Sequence, residues 1–483
     1  MKRGIERPID PHAKDLILHE AAGGTPRRVM LVAPSVVEVG EPFDIAASVL
    51  DRHGLPCTRS TGQVKLKRGP LVPRTQRVAF ESGDVAACRL AAGLCGEEGL
   101  FRIEAEYEGK AVVSNPVRCV RKARRRLWWG DPHIHTVLSD CHADRCRMPD
   151  VACVIARDVY FLDWVSLADH VSNGRSSRGK WKALRLTDAR YTEPGRFVML
   201  PGYEASLKGG SGGDNNVYFL GDLALYVDEY DGGNVRTLCE KLEDTRFFTV
   251  PHHTSRTGKH GAIPESIYPG PERMPVVEIH SKWGTSEHRG NSMPLQQIAD
   301  GPVFVQDLLR QSYHLGFIGG TDTHTSLTFA RGIEPANLNW PPGITAVAAS
   351  QLSQRSIFEN ILRRNCYAAS GQRIFLDVSV AGKAMGRDVV CSPGSAPARR
   401  TIRVLCGAEE EIATVEIVRN GEVIHTHRPH SWKVELSFTD TEPLEACAIT
   451  ARRMRTNFVY YYVRVTTPSM AKAWSSPVRF VLQ

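Results

Sequence analysis

The chain has 483 residues, 42% hydrophobic and 24% charged, a balance that fits two or three packed domains and excludes a disordered or bilayer-buried protein. The net charge of +8 is a weak pointer to anionic partners. No apolar run approaches the ~20 residues needed to span a membrane, which excludes helical insertion.

The amino terminus, Met1-Lys2-Arg3 followed by Glu6, Asp10, His12, Lys14 and Asp15, lacks the apolar stretch of a secretory signal and suggests a cytoplasmic protein. Twelve cysteines are scattered singly, and the closest pair, Cys141 and Cys146, lacks Cys-x-x-Cys spacing, so reduced thiols are expected. After an extension over residues 1–26, residues 27–122 alternate with a period of two: Phe43, Ile45, Ala47 and Val49 share one face, as do Val64 and Leu66, and Phe101, Ile103 and Ala105. Turn signals such as Asp51-Arg52-His53-Gly54 punctuate them, and an immunoglobulin-like β-sandwich is predicted. The basic run Arg121–Arg126 lacks interleaved aromatics for base stacking and reads as a solvated linker, which argues against a nucleic-acid partner.

Over residues 123–371 apolar strands lead into turns rich in His, Asp, Gly and Ser and then into helix-compatible stretches, a texture of α/β type. A closing helix is legible where Ser353 can cap a stripe of Ile357, Phe358, Ile361 and Leu362. Residues 372–483 return to β patterning, with Val415, Ile417 and Val418, the Asn420-Gly421 turn and Phe458 to Val465, and predict a second β-sandwich.

Chemistry concentrates in the middle segment, where nearly every apolar strand runs into a potential metal ligand. Trp128-Trp129 leads to Asp131, His133 and His135; Trp164 to Leu167 leads to Asp169 and His170; Phe197 to Leu200 leads to Glu204. Phe247 to Val250 leads to His252 and His253, Val276-Val277 to Glu278 and His280, and Phe317 to Gly320 to Asp322 and His324. In a barrel of alternating strands and helices those ends would share one rim. Two residues apart on extended backbone, the imidazoles of His133 and His135 point the same way, and Asp322-Thr323-His324 repeats the spacing. Imidazole and carboxylate donors suit Zn, Mn or Fe, and the absence of cysteine at the main positions argues against a closed structural zinc site.

In order and spacing, Asp131-x-His133-x-His135, Ser139-Asp140, Asp169-His170, Glu204 and Asp322-x-His324 resemble the PHP (polymerase and histidinol phosphatase) superfamily. The whole chain is similar to the DUF3604 group of such proteins, through Gly202-Tyr203-Glu204, Asn216-Val217-Tyr218-Phe219, Tyr367 to Gly371, Tyr462-Val463-Arg464-Val465 and Ala473 to Pro477. The resemblance implies a distorted TIM-like (β/α)7 barrel, flanked here by the two sandwiches, and two or three divalent transition metals. It implies that His133, His135 and Asp322 hold one ion, that Glu204 bridges to a second with His252, and that Asp140, His170 and His324 hold a third. Two departures stand out: Asp214 occupies a position where relatives often carry His, and His280 precedes Trp283 where an aromatic residue usually comes first. Asp214 can still ligate. His253 is left open beside His252, while His142, His260 and His288 are expected at the rim or surface.

The implied activity is hydrolysis by a metal-activated hydroxide, with Glu204, Asp322 and His324 in catalytic roles. A small anionic phosphoester is the favoured substrate, met by Arg175, Lys208, Arg256, Lys259, Lys282 and His280. The alternatives are hydrolysis of C–N or carboxylic ester bonds by the same cluster, and a binding protein in which metal only stabilises the scaffold.

Overall fold

The computed structural model describes residues 6–7, 9–141, 143–170, 177–207, 212–221, 233–257, 260–261, 263–311, 313–333, 340–392, 394–451 and 456–483. Residues Pro42–Leu50 form a strand whose two faces serve two cores. Phe43, Ile45, Ala47 and Val49 enter a core confined to the amino-terminal β segment, whereas Ala46 and Leu50 join the main core with Ala13 and Ile17 of the helix Pro11–Glu20. That helix starts where Asp10 accepts from the backbone of His12 and Ala13. One departure from the expected thiol chemistry lies in this segment: Cys95 and Cys119 are joined as a disulfide.

The middle segment opens as expected for α/β chemistry and then changes. Arg126–Ile134, Trp164–Leu167 and Val198–Met199 pair in parallel, separated by the helical stretch Pro149–Val159 and the helix Ser177–Tyr191. From Gly202 to Pro251 the pairing is antiparallel, with Gly202–Ser206, Asp214–Phe219 and Phe247–Pro251 forming a separate three-stranded sheet. A third small sheet joins Gly284–Thr285, Val276–Ser281 and Gly316–Gly319.

The predicted (β/α)7 TIM-like barrel flanked by two sandwiches is therefore corrected. Among the described residues strand makes up 42% against 15% helix, whereas a barrel with one helix per strand would carry more helix than strand, because helices average about twice the length of strands. Nor is the carboxy-terminal region a separate sandwich. Arg126–Ile134 pairs antiparallel with Gly343–Ala349, which passes to Cys366–Ser370, Lys472–Ser475 and Thr456–Thr466 within one twelve-stranded sheet among the described residues. Apolar periodicity reports a strand but not the direction of its neighbour, so βαβ units and antiparallel excursions carry the same pattern.

A buried polar latch fixes this join. Glu287 accepts hydrogen bonds at 2.7 Å from Tyr462 Oη, Arg464 Nη1 and Trp474 Nε1, and Arg464 Nε donates to Glu416 at 2.8 Å. Burial works against ionisation of Glu287, but Arg464 foremost holds its carboxyl below the usual range. The Tyr462-Val463-Arg464-Val465 and Trp474 motifs are thus structural. Among the described residues, no helix is long and apolar enough to cross a membrane.

Candidate metal centre

Isolated parallel bridges between Ile134 and Thr323, and between His170 and Glu204, tie the strand ends together and bring distant ligands to one place. His133 ends its strand with both ring nitrogens engaged: Nε2 lies 3.1 Å from Glu204 Oε2, and Nδ1 lies 3.1 Å from Glu278 Oε2. Across the same cluster His135 Nε2 stands 3.0 Å from Asp322 Oδ1 and 3.2 Å from Glu204 Oε2. His170 Nε2 lies 3.2 Å from Glu204 Oε2, and His252 Nε2 lies 3.0 Å from Oε1. Glu204 therefore faces four imidazoles. Asp322 faces His135 and, through Oδ2, His253 Nε2 at 3.3 Å.

Two aspartates that look like ligands in the sequence act as braces. Asp131 accepts from the backbone of His133 and Thr321 and from the hydroxyls of Thr321 and Thr328, using both oxygens. Burial raises its pKa to about 6 despite these donors. Asp169 accepts from the backbone and hydroxyl of Thr136. The effect is to lock the loops that follow His135 and precede Asp322. Asp322 and His253 both take left-handed backbone, with φ of 50° and 53°, a region in which Asp and His are among the better tolerated residues. Gly320 is required by close packing: a Cβ there would collide with Glu278 Oε2 and stand 2.8 Å from His133 Cβ.

Electrostatics favour charge separation within the cluster. Burial disfavours protonation of His133 and His135, yet Glu278 and Asp322 overcome it for His133, and Cys141 with Asp322 and Glu204 does so for His135, raising both pKa values well above the ordinary imidazole range. Against burial, His133 and His135 hold Asp322 well below the carboxylate range, and His170 and His252 foremost do the same for Glu204. His253 goes the other way, to about 3, because burial and His252 both oppose its charge. Around these groups His252 Nδ1, both ring nitrogens of His253, Asp214 Oδ1 and Glu278 Oε1 are buried without a hydrogen-bond partner among the described residues. Imidazole nitrogens and carboxylate oxygens crowded together in this way, with several unsatisfied, are a donor set for divalent cations. The buried groups His133/His135/Glu204/Asp322, His252/His253/Asp322 and Glu204/Asp214/His252 each place their ligand atoms within 4.8 Å of one another.

No family model matches the chain. It is 27% identical to an uncharacterized protein of Chlamydia pneumoniae, over 96% of this chain and 75% of that one. An uncharacterized protein of Chlamydia muridarum is 25% identical over 97% and 77% of the respective chains. Among solved structures, a calcium-binding mutant of Bacteroides uniformis beta-glucuronidase 2 aligns at 8% identity with a TM-score of 0.22, covering 94% of this chain and 60% of that one. So low a score carries no argument about fold or chemistry.

The expected site residues divide by position. His133, His135, His170, Glu204, Asp214, His252 and Asp322 enter the ligand groups, and His253, left open by sequence, enters with them. His260, expected at the rim, lies against the Asp214 carboxylate and joins it and His253 in a group. His324 stacks on His135 at 4.5 Å, with Nδ1 3.1 Å from the Asp322 carbonyl oxygen. Asp140 stands outside these groups, its carboxylate on the Lys180 ammonium. Arg175, Lys208 and Lys259 lie outside the described residues, as does His142.

Two expected substrate contacts have structural work instead. Lys282 is buried and donates to Thr323 Oγ1 at 3.2 Å and to the carbonyls of Leu327 and Ala330 at 3.1 Å, tying down the loop after Asp322. His280 places Nε2 2.7 Å from the Pro341 carbonyl and stacks on Trp474. Arg256 is better placed: its guanidinium covers the Trp283 ring at 4.9 Å, and that ring lies 5.6 Å from His253 and 5.8 Å from His324. Sequence reasoning missed Glu278 as the partner of His133. The signal was its place at a strand end, but its partner is 145 residues away.

His280 gives a pH test. Burial lowers its pKa to about 4 in the fold, while the unfolded chain has an ordinary imidazole near 6.5. The unfolded state then binds more protons between those values, so stability is complete above about pH 6.5 and falls as pH drops towards 4. The loss should reach roughly 3 kcal/mol. In urea melts His280→Gln should lose part of the acid sensitivity between pH 7.5 and 4.5; identical pH dependence in the two proteins would refute this role.

Proposed function

We propose that this chain is a metal-dependent hydrolase acting on a small anionic phosphoester. The reading rests on one observation above all: Glu204 and Asp322 are buried face to face with five imidazoles at 3.0–3.3 Å. His133, His135, His170, His252, His253, Glu204, Asp214 and Asp322 would hold two or three divalent ions of the Zn, Mn or Fe kind, in line with the PHP-like order of the sequence. When bound, such ions lower the pKa of a coordinated water and stabilise charge on a phosphoryl oxygen.

The chain's own residues prepare the site. Glu278 holds His133 through Nδ1 and leaves Nε2 directed into the cluster; carboxylate partners of this kind fix ring orientation and raise ligand basicity. Ser206 Oγ, 3.3 Å from His170 Nδ1, does the same for His170. His253 Nε2 stands 3.3 Å from Asp322 Oδ2 without a hydrogen bond between them, so both atoms remain open to a shared cation. Arg256 Nε has no hydrogen-bond partner among the described residues and is free to donate to a phosphate oxygen.

Metal analysis with a panel of phosphoesters, amides and carboxylic esters tests the reading. Bound Zn, Mn or Fe with metal-dependent phosphoester cleavage is the expected result. Protein that cannot be loaded with metal, or that cleaves only amides or carboxylic esters, would refute it. Arg256→Ala should raise KM for the phosphoester at least about tenfold with a smaller change in kcat, as expected for lost ground-state binding of an anion.

A further inference from the structure

Where the sequence offers Asp140 as the acidic ligand of the His170 end, the fold presents its neighbour. Asp140 turns to Lys180, and the next side chain, Cys141, enters the cluster. Its Sγ forms a group with His135 and His170 in which one ligand atom from each lies within 4.8 Å of the others. It also stands 3.3 Å from His324 Nε2 and 3.2 Å from Ser139 Oγ, and that hydroxyl is 3.3 Å from His135 Nδ1. His135 and His170 stack at 5.1 Å, nearly parallel at 14°.

We propose that one metal position of this centre is ligated by the Cys141 thiolate together with His135 and His170, resting on the metal-dependent reading above. A thiolate is far softer than the carboxylate it stands in for, and soft donors select Zn over Mn. Binding replaces the S–H bond with a sulfur–metal bond and releases the proton to solvent, with no change of oxidation state. The main cluster of Glu204, Asp322, His133 and His252 remains an all nitrogen and oxygen site. The centre is thereby chemically asymmetric: one end prefers Zn, and the other accepts Mn or Fe.

Cobalt(II) reports both levels separately. Loading the metal-free full chain with Co(II) should give visible d–d bands, which follow from the metal centre, and a near-ultraviolet sulfur-to-cobalt charge-transfer band, which follows from Cys141. In Cys141→Ser the charge-transfer band should vanish while d–d absorption persists, and the preference for Zn over Mn should fall at least about tenfold. Cys146→Ser, which alters a buried thiol outside the ligand groups, should keep the band. No d–d absorption in the wild type would overturn the metal reading itself. Visible bands without charge transfer, or a charge-transfer band that survives in Cys141→Ser, would overturn the thiolate alone. Should Cys141→Ser fail to fold, alkylation of the wild type mapped by mass spectrometry decides: Zn must protect Cys141, and equal labelling with and without Zn refutes the proposal.

Discussion

Glu204→Gln is expected to remove most bound metal and to lower phosphoester hydrolysis by at least about two orders of magnitude. The reason is geometric. The Glu204 oxygens face His133, His135, His170 and His252 at 3.0–3.2 Å, so the carboxylate is the hub of the centre. Glutamine keeps the shape and one oxygen but loses the negative charge, and its amide presents protons where a cation would sit. Folding should survive, because the main core is formed by apolar side chains such as Val165, Phe197, Phe317 and Trp474. Elemental analysis, steady-state kinetics and thermal melts on one preparation check all three expectations. Full metal content and unchanged activity in Glu204→Gln would remove the basis of the proposed function.

How far this centre was legible follows from how each residue reaches it. His133 and His135, or Asp322 and His324, announce themselves because two-residue spacing on extended backbone repeats a direction, and local geometry can be read from sequence. His170 and His252 were readable as the polar ends of apolar strands. What could not be read was which atom meets which. Asp131 carries the same strand-end signature as His133, yet the four donors that occupy it come partly from Thr321 and Thr328, nearly 200 residues away. Cys141 and Asp140 are adjacent, and sequence does not show that Asp140 pairs with Lys180 while Cys141 lies against His324. Lys282 and His280 look like surface groups of a pocket because sequence shows charge without burial; both prove to be struts to backbone carbonyls.

The fold was misread for a related reason. Strands ending in His and Asp look alike whether the next strand is parallel or antiparallel, and the distinction depends on pairing partners that local periodicity does not encode. The strand Lys472–Ser475 pairs with Cys366–Ser370 across a hundred residues of intervening chain, so the apparent boundary near Gly371 is a change of local texture within a continuous sheet. A site assembled from loops of three sheets then needs rigid crosslinks between them, and the buried braces at Asp131, Asp169, Lys282 and Glu278 supply these near the cluster.

The latch at Glu287 supplies one farther out, and breaking it should have the largest effect on stability. Glu287→Ala leaves the Arg464 charge in a largely buried place without its closest partner, and leaves the Tyr462 O–H and Trp474 N–H without their acceptor, while Tyr462 Oη keeps the bond it accepts from Gln306. Removing one member of a buried ion pair costs about 3–5 kcal/mol, a large fraction of the stability of a typical protein. Glu287→Gln should cost less, since a carbonyl at Oε1 still accepts from both Tyr462 Oη and Arg464 Nη1. Replacing both charges, as in Glu287→Leu with Arg464→Met, should recover part of the loss, because two well-packed apolar groups leave no unpaired charge behind. Urea unfolding of the single and double variants measures the coupling directly. At low urea the folded fraction of each should still bind metal, since Glu287 belongs to none of the ligand groups. If Glu287→Ala unfolded at the wild-type midpoint, the latch would not be what joins the carboxy-terminal strands to the loop at Glu287.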